Sequence, residues 1–595
     1  MIRVPLRPLA RILPARAAGQ SPEEIERENR AARHEEMRDM ARQRAEGRLL
    51  VLGVFFFCAF MVVGVRMGML ATSDPVEPRA SAQGSAISAA RADIVDRKGR
   101  LLATNFETHS LYAQPPQMVD PVGAARGLAG IFPELEEKKL IEDFTGKRKF
   151  LWIKKTISPE QMQAVHEIGD PGLLFGPREM RLYPNGSLAA HVMGGASFGK
   201  EGVHAAEVIG VAGVEKYFDD YLRDPANGQR PLELSLDLTV QAAAERVLFG
   251  GMKIMNAKGA TSVLMDVHTG EIISVVSLPD FDPNNRPRPA TKGDQSDSPL
   301  FNRSVQGVYE LGSTFKIFTA AQAVDLGLVT ASTIIDTKGP MRVGGFPIGE
   351  FRNKNYGKLT VSDIIVKSSN RGTGRLALQI GVQRQQEFLK NLGFFEATPF
   401  EIIEAVAGKP LLPKRWTELS AVTVSYGHGL STSPMHLAAG YAAIANGGYA
   451  VAPTIIKQNG PRHGVRVMGA DSAHAARGML RAVVTEGTAS MGEVPGYAVG
   501  GKTGTADKPK SNGGYYDDKV IATFATIFPA HDPQYVLIVT LDEPIETSGD
   551  EPRRTAGWTA VPVAAEMIGR IAPLLGLRPT VEPASLADIT LTNSN

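Results

Sequence analysis

The stretch that organises this chain is residues 309–321, Tyr-Glu-Leu-Gly-Ser-Thr-Phe-Lys-Ile-Phe-Thr-Ala-Ala. Apolar residues recur at helical spacing from Phe315 onward and Gly327 offers a stop, so the pattern predicts a helix. Ser313 then lies at or next to the helix N-terminus, where unpaired backbone N–H groups favour a developing negative charge. Lys316 follows three residues later on the same face. It could take the proton of the serine hydroxyl if burial kept the lysine neutral.

The alternative is an ordinary serine N-cap with a lysine in the first turn, and later stretches bear on the choice. Residues 364–372, Ile-Ile-Val-Lys-Ser-Ser-Asn-Arg-Gly, place Ser368 and Asn370 after a helical run. They offer a hydroxyl that can pass a proton and an amide that can bind a peptide bond. By itself, this stretch is more typical of an ordinary polar turn between two helices.

A third stretch, residues 500–506, Gly-Gly-Lys-Thr-Gly-Thr-Ala, precedes a strand-forming run. On a strand, Lys502 and Gly504 point one way and Thr503 and Thr505 the other. Gly504 leaves room for a substrate backbone, and the lysine and the two hydroxyls suit a carboxylate. The alternative is a Gly-Lys-Thr phosphate-binding loop, but such a loop opens a helix rather than a strand.

Ser-x-x-Lys, Ser-x-Asn and Lys-Thr-Gly, in this order, form the triplet of penicillin-binding proteins and serine β-lactamases. The chain more broadly resembles the class B penicillin-binding proteins. Residues 91–103 resemble the start of their pedestal domain. Parts of their transpeptidase domain are similar to residues 269–272, 302–316, 426–429 and 501–506.

Two features resemble the FtsI-type septal enzymes rather than the elongation paralogue: Thr503 and residues 213–216, Gly-Val-Glu-Lys. Class A enzymes carry a glycosyltransferase domain ahead of the pedestal, and this chain shows none. Leu311 stands where the family usually has proline, a departure that removes no chemical group.

The resemblance implies an α+β protein with an N-terminal transmembrane helix and an elongated α+β pedestal. A transpeptidase domain of the penicillin-binding and serine β-lactamase type follows, with an antiparallel sheet flanked by helices and an all-helical subdomain. The expected segments are a cytoplasmic Arg-rich tail (1–48), a membrane anchor (49–70), a linker and dimerisation-type pedestal (71–230), the transpeptidase domain (231–578) and a C-terminal tail (579–595).

The local pattern itself predicts a strand, a turn at Lys98-Gly99 and a second strand within residues 91–103. Farther along the chain it predicts strands at 260–266 and 271–276 joined as a hairpin, helices over 361–445, strands at 497–505, 520–528 and 535–541, and an amphipathic helix over 561–575. Strands at both ends of a domain around a helical insertion suggest an antiparallel sheet with helices on both sides.

Composition restricts the possible functions of the 595-residue chain. The net charge of +2 gives no reason to expect nucleic acid as a partner. The single cysteine, Cys58, excludes an intramolecular disulfide and Cys-based metal sites. The eleven histidines show no metal-ligand spacing, so we expect neither a metal nor a cofactor.

Residues 49–65 are apolar without a break, and Arg66 can reach the interface at the end of a membrane span. The arginines before this segment outnumber those just after it, which predicts a cytoplasmic N-terminus and an extracytoplasmic main body. A cleaved signal peptide is disfavoured because the preceding region is too long. For residues 1–48 we expect disorder or a lone polar helix, with a docking segment as the functional alternative.

By resemblance, Ser313 attacks the carbonyl between the terminal D-alanines of a peptidoglycan stem peptide, with neutral Lys316 as the base. The N–H groups of Ser313 and Thr505 stabilise the oxyanion. Ser368 passes a proton to the leaving D-alanine while Lys502 tunes that step. The implied catalytic residues are Ser313, Lys316, Ser368, Asn370 and Lys502, and the implied substrate-binding residues are Thr503, Gly504 and Thr505.

The implied partners are donor and acceptor stem peptides, β-lactams, an FtsW-type membrane glycosyltransferase and other division proteins at the septum of the cytoplasmic membrane. Several alternatives stay open: the elongation paralogue, a D,D-carboxypeptidase or β-lactamase, a penicillin sensor, and a catalytically silent scaffold. A silent scaffold should have lost Lys316 or Lys502, and a secreted β-lactamase carries neither anchor nor pedestal. The turn at residues 426–429 is expected to be structural, so His428 is not assigned a catalytic role.

Overall fold

The computed structural model describes residues 9–19, 21–72, 91–201, 206–227, 230–462, 464–510 and 513–580. The chain divides into two units, residues 1–78 and 79–595. Most of the predicted linker and residues 581–595 of the predicted tail lie outside the described residues.

The first unit contains helices α1 (Leu9–Ala17) and α2 (Pro22–Thr72). Within α2, Arg48–Met67 is a candidate membrane span of 20 residues with a mean hydropathy of 2.5. At the helical rise per residue this segment is about 30 Å long, the thickness of a bilayer core. The polar residues from Pro22 to Arg48 are helical, so the expectation of disorder was wrong for them and that of a polar helix is confirmed.

The N-terminal part of the second unit mixes short strands and helices. In chain order these are β1 (Ile94–Val95), β2 (Leu101–Ala113), α3 (Pro121–Ile131), α4 (Glu137–Thr145), β3 (Leu151–Ile157), α5 (Pro159–Ile168), β4 (Leu173–Leu182), α6 (Ala190–Met193), β5 (Gly195–Glu201), β6 (Ala206–Ala212), α7 (Gly213–Tyr217), α8 (Asp219–Arg223) and β7 (Leu232–Glu233).

The long strand β2 organises this part, because it pairs antiparallel with β1, β3 and β4. The predicted strand, turn and strand within residues 91–103 are confirmed. Helices α3, α4 and α5 bury Leu128, Phe144 and Val165 against Leu111 of β2. These contacts form a small core separate from the larger one.

The remaining elements follow from residue 234 onward. They are α9 (Leu238–Ile254), β8 (Gly259–Asp266), β9 (Ile272–Leu278), α10 (Lys316–Asp325), β10 (Ile334–Asp336), β11 (Met341–Val343), β12 (Phe346–Ile348), β13 (Lys358–Thr360), α11 (Val361–Val366), α12 (Asn370–Ile380), α13 (Val382–Asn391), α14 (Glu418–Ser425), α15 (Pro434–Ala445), α16 (Ala470–Glu486), β14 (Gly500–Pro509), β15 (Tyr515–Phe528), β16 (Tyr535–Asp542) and α17 (Ala560–Leu574).

Among the described residues, five strands form the main sheet in the order β14-β15-β16-β8-β9, and every pair is antiparallel. All residues of β9 are buried, so both faces of that strand are covered. Helices α9 and α17 pack on each other and on the sheet, and α15 packs across β8, β15 and β16. The predicted hairpin, returning strands and final helix are confirmed.

The helical stretch predicted from residue 361 to residue 445 is confirmed as α11 to α15. Helix α16 was not identified from the sequence, although buried Ala476, Leu480 and Val483 recur at helical spacing. It packs against both α10 and β14. Helix α16 therefore supports both the edge strand β14 and helix α10. The candidate active site lies where these two elements meet.

Candidate active site

The serine predicted as nucleophile lies in a short 3-10 turn, Gly312–Phe315, which leads directly into α10. Side chains three residues apart eclipse in a 3-10 turn, so Ser313 and Lys316 project to the same side. Ser313 is half-buried, whereas Gly312 and Thr314 beside it are fully buried. The turn thus presents one hydroxyl from an otherwise buried segment.

Close backbone contacts hold this turn against its neighbours. Gly312 has a φ of +55°, and a Cβ there would lie 3.0 Å from the carbonyl oxygen of Thr505. A Cβ on Gly504 would lie 2.2 Å from the oxygen of Leu311, and one on Gly427 would lie 2.0 Å from the oxygen of Gly312. The distances at Gly504 and Gly427 are too short for any side chain, and at Gly312 the positive φ and the tight contact both disfavour one. Glycine at these positions lets three backbone segments touch.

Two buried lysines meet at one hydroxyl. Lys316 Nζ donates to the Oγ of Ser368 at 3.0 Å and to its backbone oxygen at 2.6 Å. Lys502 Nζ, from the edge strand β14, donates to the same Oγ at 3.0 Å. The two lysines are 1% and 0% exposed. One hydroxyl therefore bridges the lysine of the nucleophile helix and the lysine of the strand.

Burial changes the chemistry of both amines. It lowers the pKa of Lys502 to about 7. It also lowers the pKa of Lys316 well below the usual lysine value, and the charge of Lys502 acts in the same direction while Glu350 opposes it. Desolvation disfavours the ammonium form, so a neutral amine, which can accept a proton, is available near neutral pH.

The Ser-x-Asn segment forms a tight turn between α11 and α12. Ser368 has a φ of +60°, a left-handed conformation that a residue with a side chain rarely adopts. Ser369 caps α12 by accepting the N–H of Gly372 at 3.0 Å. Asn370 lies at the rim, where its Nδ2 donates to the oxygen of Gly349 at 3.0 Å.

The two threonines of β14 alternate with Lys502 along the strand, and the Oγ1 of Thr503 still accepts a long hydrogen bond from the Nζ of Lys502 at 3.5 Å. The Oγ1 of Thr503 lies 2.7 Å from the Oγ1 of Thr488. The Oγ1 of Thr505 accepts the backbone N–H of Ala556 at 3.0 Å. The structure therefore brings Ser368 and the two lysines into direct contact next to the serine turn. The hydroxyl of Thr503 lies at the edge of that cluster, whereas the hydroxyl of Thr505 and the amide of Asn370 bind other protein atoms.

The spacing of Gly496, Gly501, Lys502 and Thr503 is that of a phosphate-binding loop. Such a loop wraps a phosphate with backbone N–H groups and then opens a helix. Here Lys502 lies within β14, and its amine is buried against Ser368. The strand excludes the phosphate-loop alternative.

Sequence reasoning missed two carboxylates that support the site. Glu310 accepts the N–H of Gly429 at 2.7 Å and the hydroxyl of Tyr515 at 3.1 Å. It thereby ties the segment before Ser313 to the predicted structural turn at residues 426–429. Glu350 binds the first turn of α12. Neither carboxylate belongs to a recognisable motif, and a lone glutamate in a loop is usually solvent-exposed.

In the part of the chain that the structure describes, no group of three or more His, Cys, Asp or Glu side chains is arranged to hold a metal ion.

The chain matches known proteins over most of its length. The penicillin binding protein transpeptidase domain family matches residues 260–566, and the penicillin-binding protein dimerisation domain family matches residues 86–235. A probable peptidoglycan D,D-transpeptidase FtsI of Caulobacter vibrioides is 33% identical over 569 residues, covering 93% of each chain.

More distant relatives are also penicillin-binding proteins or peptidoglycan D,D-transpeptidases by name. The peptidoglycan D,D-transpeptidase FtsI of Escherichia coli is 26% identical and covers 83% of this chain and 85% of its own. The crystal structure of penicillin binding protein 3 from Mycobacterium tuberculosis, complexed with aztreonam, has a TM-score of 0.62 and 25% identity. It covers 84% of this chain and 99% of its own. A second structure of that protein, with ampicillin, gives a TM-score of 0.63.

Proposed function

Because this chain belongs to the penicillin-binding protein transpeptidase family, we propose that Ser313 is the nucleophile of its reaction and Lys316 the base. The chain is a class B penicillin-binding protein, a serine-type peptidoglycan D,D-transpeptidase and a β-lactam target. The observation that supports the residue assignment is the Oγ of Ser368, held 3.0 Å from the amines of both Lys316 and Lys502.

In the first step, Ser313 attacks the carbonyl carbon between the two terminal D-alanines of the donor peptide. Its proton passes to Lys316, whose amine is neutral because burial lowers its pKa. The negative charge that develops on the carbonyl oxygen is stabilised by the N–H groups of Ser313 and Thr505. The close approach of Gly312 to the backbone of Thr505 supports this pairing.

The same cluster serves the leaving group. The proton taken by Lys316 reaches the departing D-alanine amine through the hydroxyl of Ser368, which touches both lysines. Lys502 adjusts the energy of that transfer by its charge. An amine from a neighbouring stem peptide then attacks the acyl-enzyme and forms the cross-link, while Ser313 recovers its proton.

Binding of the donor uses the edge of the sheet. Strand β14 is an edge strand, and its free backbone groups can pair with an extended peptide. Gly504 keeps that edge free of side-chain bulk, Thr503 and Thr505 bind the terminal carboxylate, and Asn370 holds the donor amide. For the last three this requires a change of hydrogen-bond partner, since each is engaged with protein atoms.

Intact-mass spectrometry of the full-length protein in detergent, incubated with benzylpenicillin, tests the assignment. We expect one adduct of the drug's mass that hydrolyses slowly, and none on Ser313→Ala. Ser304→Ala, which removes a buried serine outside the cluster, is the matched control and should retain the adduct.

Two results would count against this function. Absence of an adduct on the folded, unsubstituted protein would leave a silent scaffold as the better description. Rapid turnover of the adduct with release of hydrolysed drug would identify a β-lactamase.

We also propose that the enzyme acts at the division septum, anchored by the segment Arg48–Met67 with its N-terminus in the cytoplasm. Support comes from the apolar span, the arginines that precede it, and the FtsI names of the relatives. An FtsW-type glycosyltransferase and other division proteins are the proposed partners. Imaging of a fluorescent fusion tests this: a band at midcell is expected, and signal spread along the lateral wall would favour the elongation role.

A further inference from the structure

Glu350 is a buried carboxylate on the loop between β12 and β13. One oxygen accepts the hydroxyl of Ser369 at 2.6 Å and the backbone N–H of Arg371 at 3.1 Å. The other accepts the backbone N–H of Asn370 at 2.8 Å. Three consecutive residues at the start of α12 are therefore bound by one side chain from another part of the chain.

The residue next to this bound segment is Ser368. It has a φ of +60°, a conformation that persists only when the surrounding structure enforces it. On its N-terminal side, Ser368 is held by α11 through the bond from its N–H to the oxygen of Ile365 at 3.2 Å. On its C-terminal side, the contacts of Glu350 fix the first turn of α12. Together they set the position of the hydroxyl that bridges the two lysines.

Resting on the proposed function, we propose that Glu350 is a positioning residue for acylation. Its carboxylate holds the Ser368 turn so that the hydroxyl stays between Lys316 and Lys502, and its negative charge acts on Lys316. Glu350 touches neither substrate nor nucleophile, so it works through the turn and through its field.

The electrostatic part of this role depends on what surrounds Lys316. The charges that act on its amine are Lys502, which lowers its pKa, and Glu350, which raises it. Four charged side chains on elements packed against α10 have other partners: Asp363 of α11 bonds to Thr360, Arg371 of α12 to Ile348, Arg384 of α13 to Gln379, and Arg477 of α16 to Ala445. Glu350 is the one acidic group, within the described residues, that opposes the neutralisation of Lys316.

Glu350→Gln tests both the positioning of Ser368 and the charge acting on Lys316, with little change in the shape of the side chain. The amide is nearly isosteric, but it removes the charge and replaces one acceptor oxygen with a donor. We expect the second-order rate constant for acylation by a fluorescent penicillin to fall roughly 10- to 100-fold, since displacing a catalytic group by about 1 Å can cost 100-fold. The acid limb of its pH profile should move to lower pH, because Lys316 loses the charge that raises its pKa.

Two further variants separate the effect of the charge of Glu350 from its effect on the position of the Ser368 turn. Glu350→Asp keeps the charge but shortens the reach, so the acid limb should stay in place while the rate falls. Ser369→Ala removes one of the three donors and keeps the charge, so a smaller loss of rate and no shift of the limb are expected. If Glu350→Gln fails to fold, these two variants decide the question.

The matched control is Glu401→Gln. Glu401 is also a loop carboxylate that binds consecutive residues, accepting the hydroxyl of Thr454 at 2.7 Å and the N–H of Ile455 at 2.9 Å. Its substitution should lower the melting temperature without changing the acylation rate or its pH profile.

All measurements use the full-length protein in detergent, with the unsubstituted chain in the same series. If that chain is not labelled at Ser313, the proposed function fails and this inference fails with it. If it is labelled but Glu350→Gln and Glu350→Asp both acylate at its rate, only the role of Glu350 is overturned. A fall in rate that matches the fraction of unfolded protein, with the acid limb unmoved, also overturns it.

Discussion

Two groups of buried basic side chains in this molecule have different kinds of partner. In the N-terminal part of the second unit, Arg91 and Arg181 both bind the carboxylate of Glu215 at 2.7 Å, and Arg91 also binds Asp219 at 2.7 Å. In the active site, Lys316 and Lys502 share the hydroxyl of Ser368. Within the described residues, no carboxylate lies at ion-pair distance from either lysine nitrogen.

The difference separates scaffolding from chemistry. Each arginine of the first group has an acidic partner, so its charge is fixed and the group ties together β4, α7 and the segment before β1. The lysines lack such partners, so their burial is not offset by ion pairs and lowers the pKa of both amines. The arginines of the first group are paired with carboxylates, whereas the two lysines proposed to take part in proton transfer contact neutral oxygens. Three substitutions test this comparison.

The largest effect is expected from Lys316→Met. Removing the base should lower the acylation rate by roughly 10³-fold, within the range for general base catalysis. The melting temperature should stay the same or rise, because methionine avoids burying an amine without an ionic partner. Fluorescent-penicillin labelling and thermal unfolding measure the two effects. A clear drop in melting temperature would show that this lysine also stabilises the fold.

Glu215→Gln tests the paired group. It leaves two buried arginines without their shared carboxylate, so the free energy of unfolding should fall by about 3 kcal/mol, the cost of breaking a buried pair. Guanidinium denaturation measures this, and the folded fraction should acylate at the unsubstituted rate. Arg223→Gln is the control, because its half-exposed side chain should contribute less than about 1 kcal/mol. Equal losses for the two variants would contradict the proposed role of the buried group.

Lys502→Met should give the smallest effect, in the pH dependence of stability. Burial lowers the pKa of Lys502 from 10.5 to about 7 in the folded protein. Between these values the unfolded chain binds the extra proton, so the free energy of unfolding rises with pH. Denaturation between about pH 7.5 and 9.5, below ordinary tyrosine ionisation, should show a shallower rise in the variant. Exposed Lys414→Met should leave the slope unchanged, and the same slope in all three proteins would refute the assignment.

Sequence reasoning succeeded where a feature depends on neighbouring residues. The helix after Ser313, the hairpin joining β8 to β9, and the strand carrying Lys502 all follow from local periodicity and turn residues. The contact of Ser368 with both lysines joins positions 52 and 134 residues away. No local pattern encodes that contact; only the ordered triplet of motifs indicated it.

Features that depend on distant charges could not be predicted. Glu350 binds residues 19 to 21 positions away, across β13 and α11, and its flanking sequence resembles an exposed loop. The charge-rich residues 178–186 and 210–215 show no catalytic pattern in the sequence, yet Arg181 and Glu215 form a buried ion pair. Burial of a charge depends on the partner that the fold supplies.

The glycine contacts around Ser313 also restrict how this enzyme can evolve under drug selection. Any side chain at Gly504 or Gly427 would collide with a backbone oxygen of the segment carrying the nucleophile, and that segment must stay in place for cell-wall synthesis. Substitutions that would narrow the site against a β-lactam at these positions therefore disable the enzyme as well. Adding a side chain at either glycine is therefore not a route to resistance that preserves cell-wall synthesis.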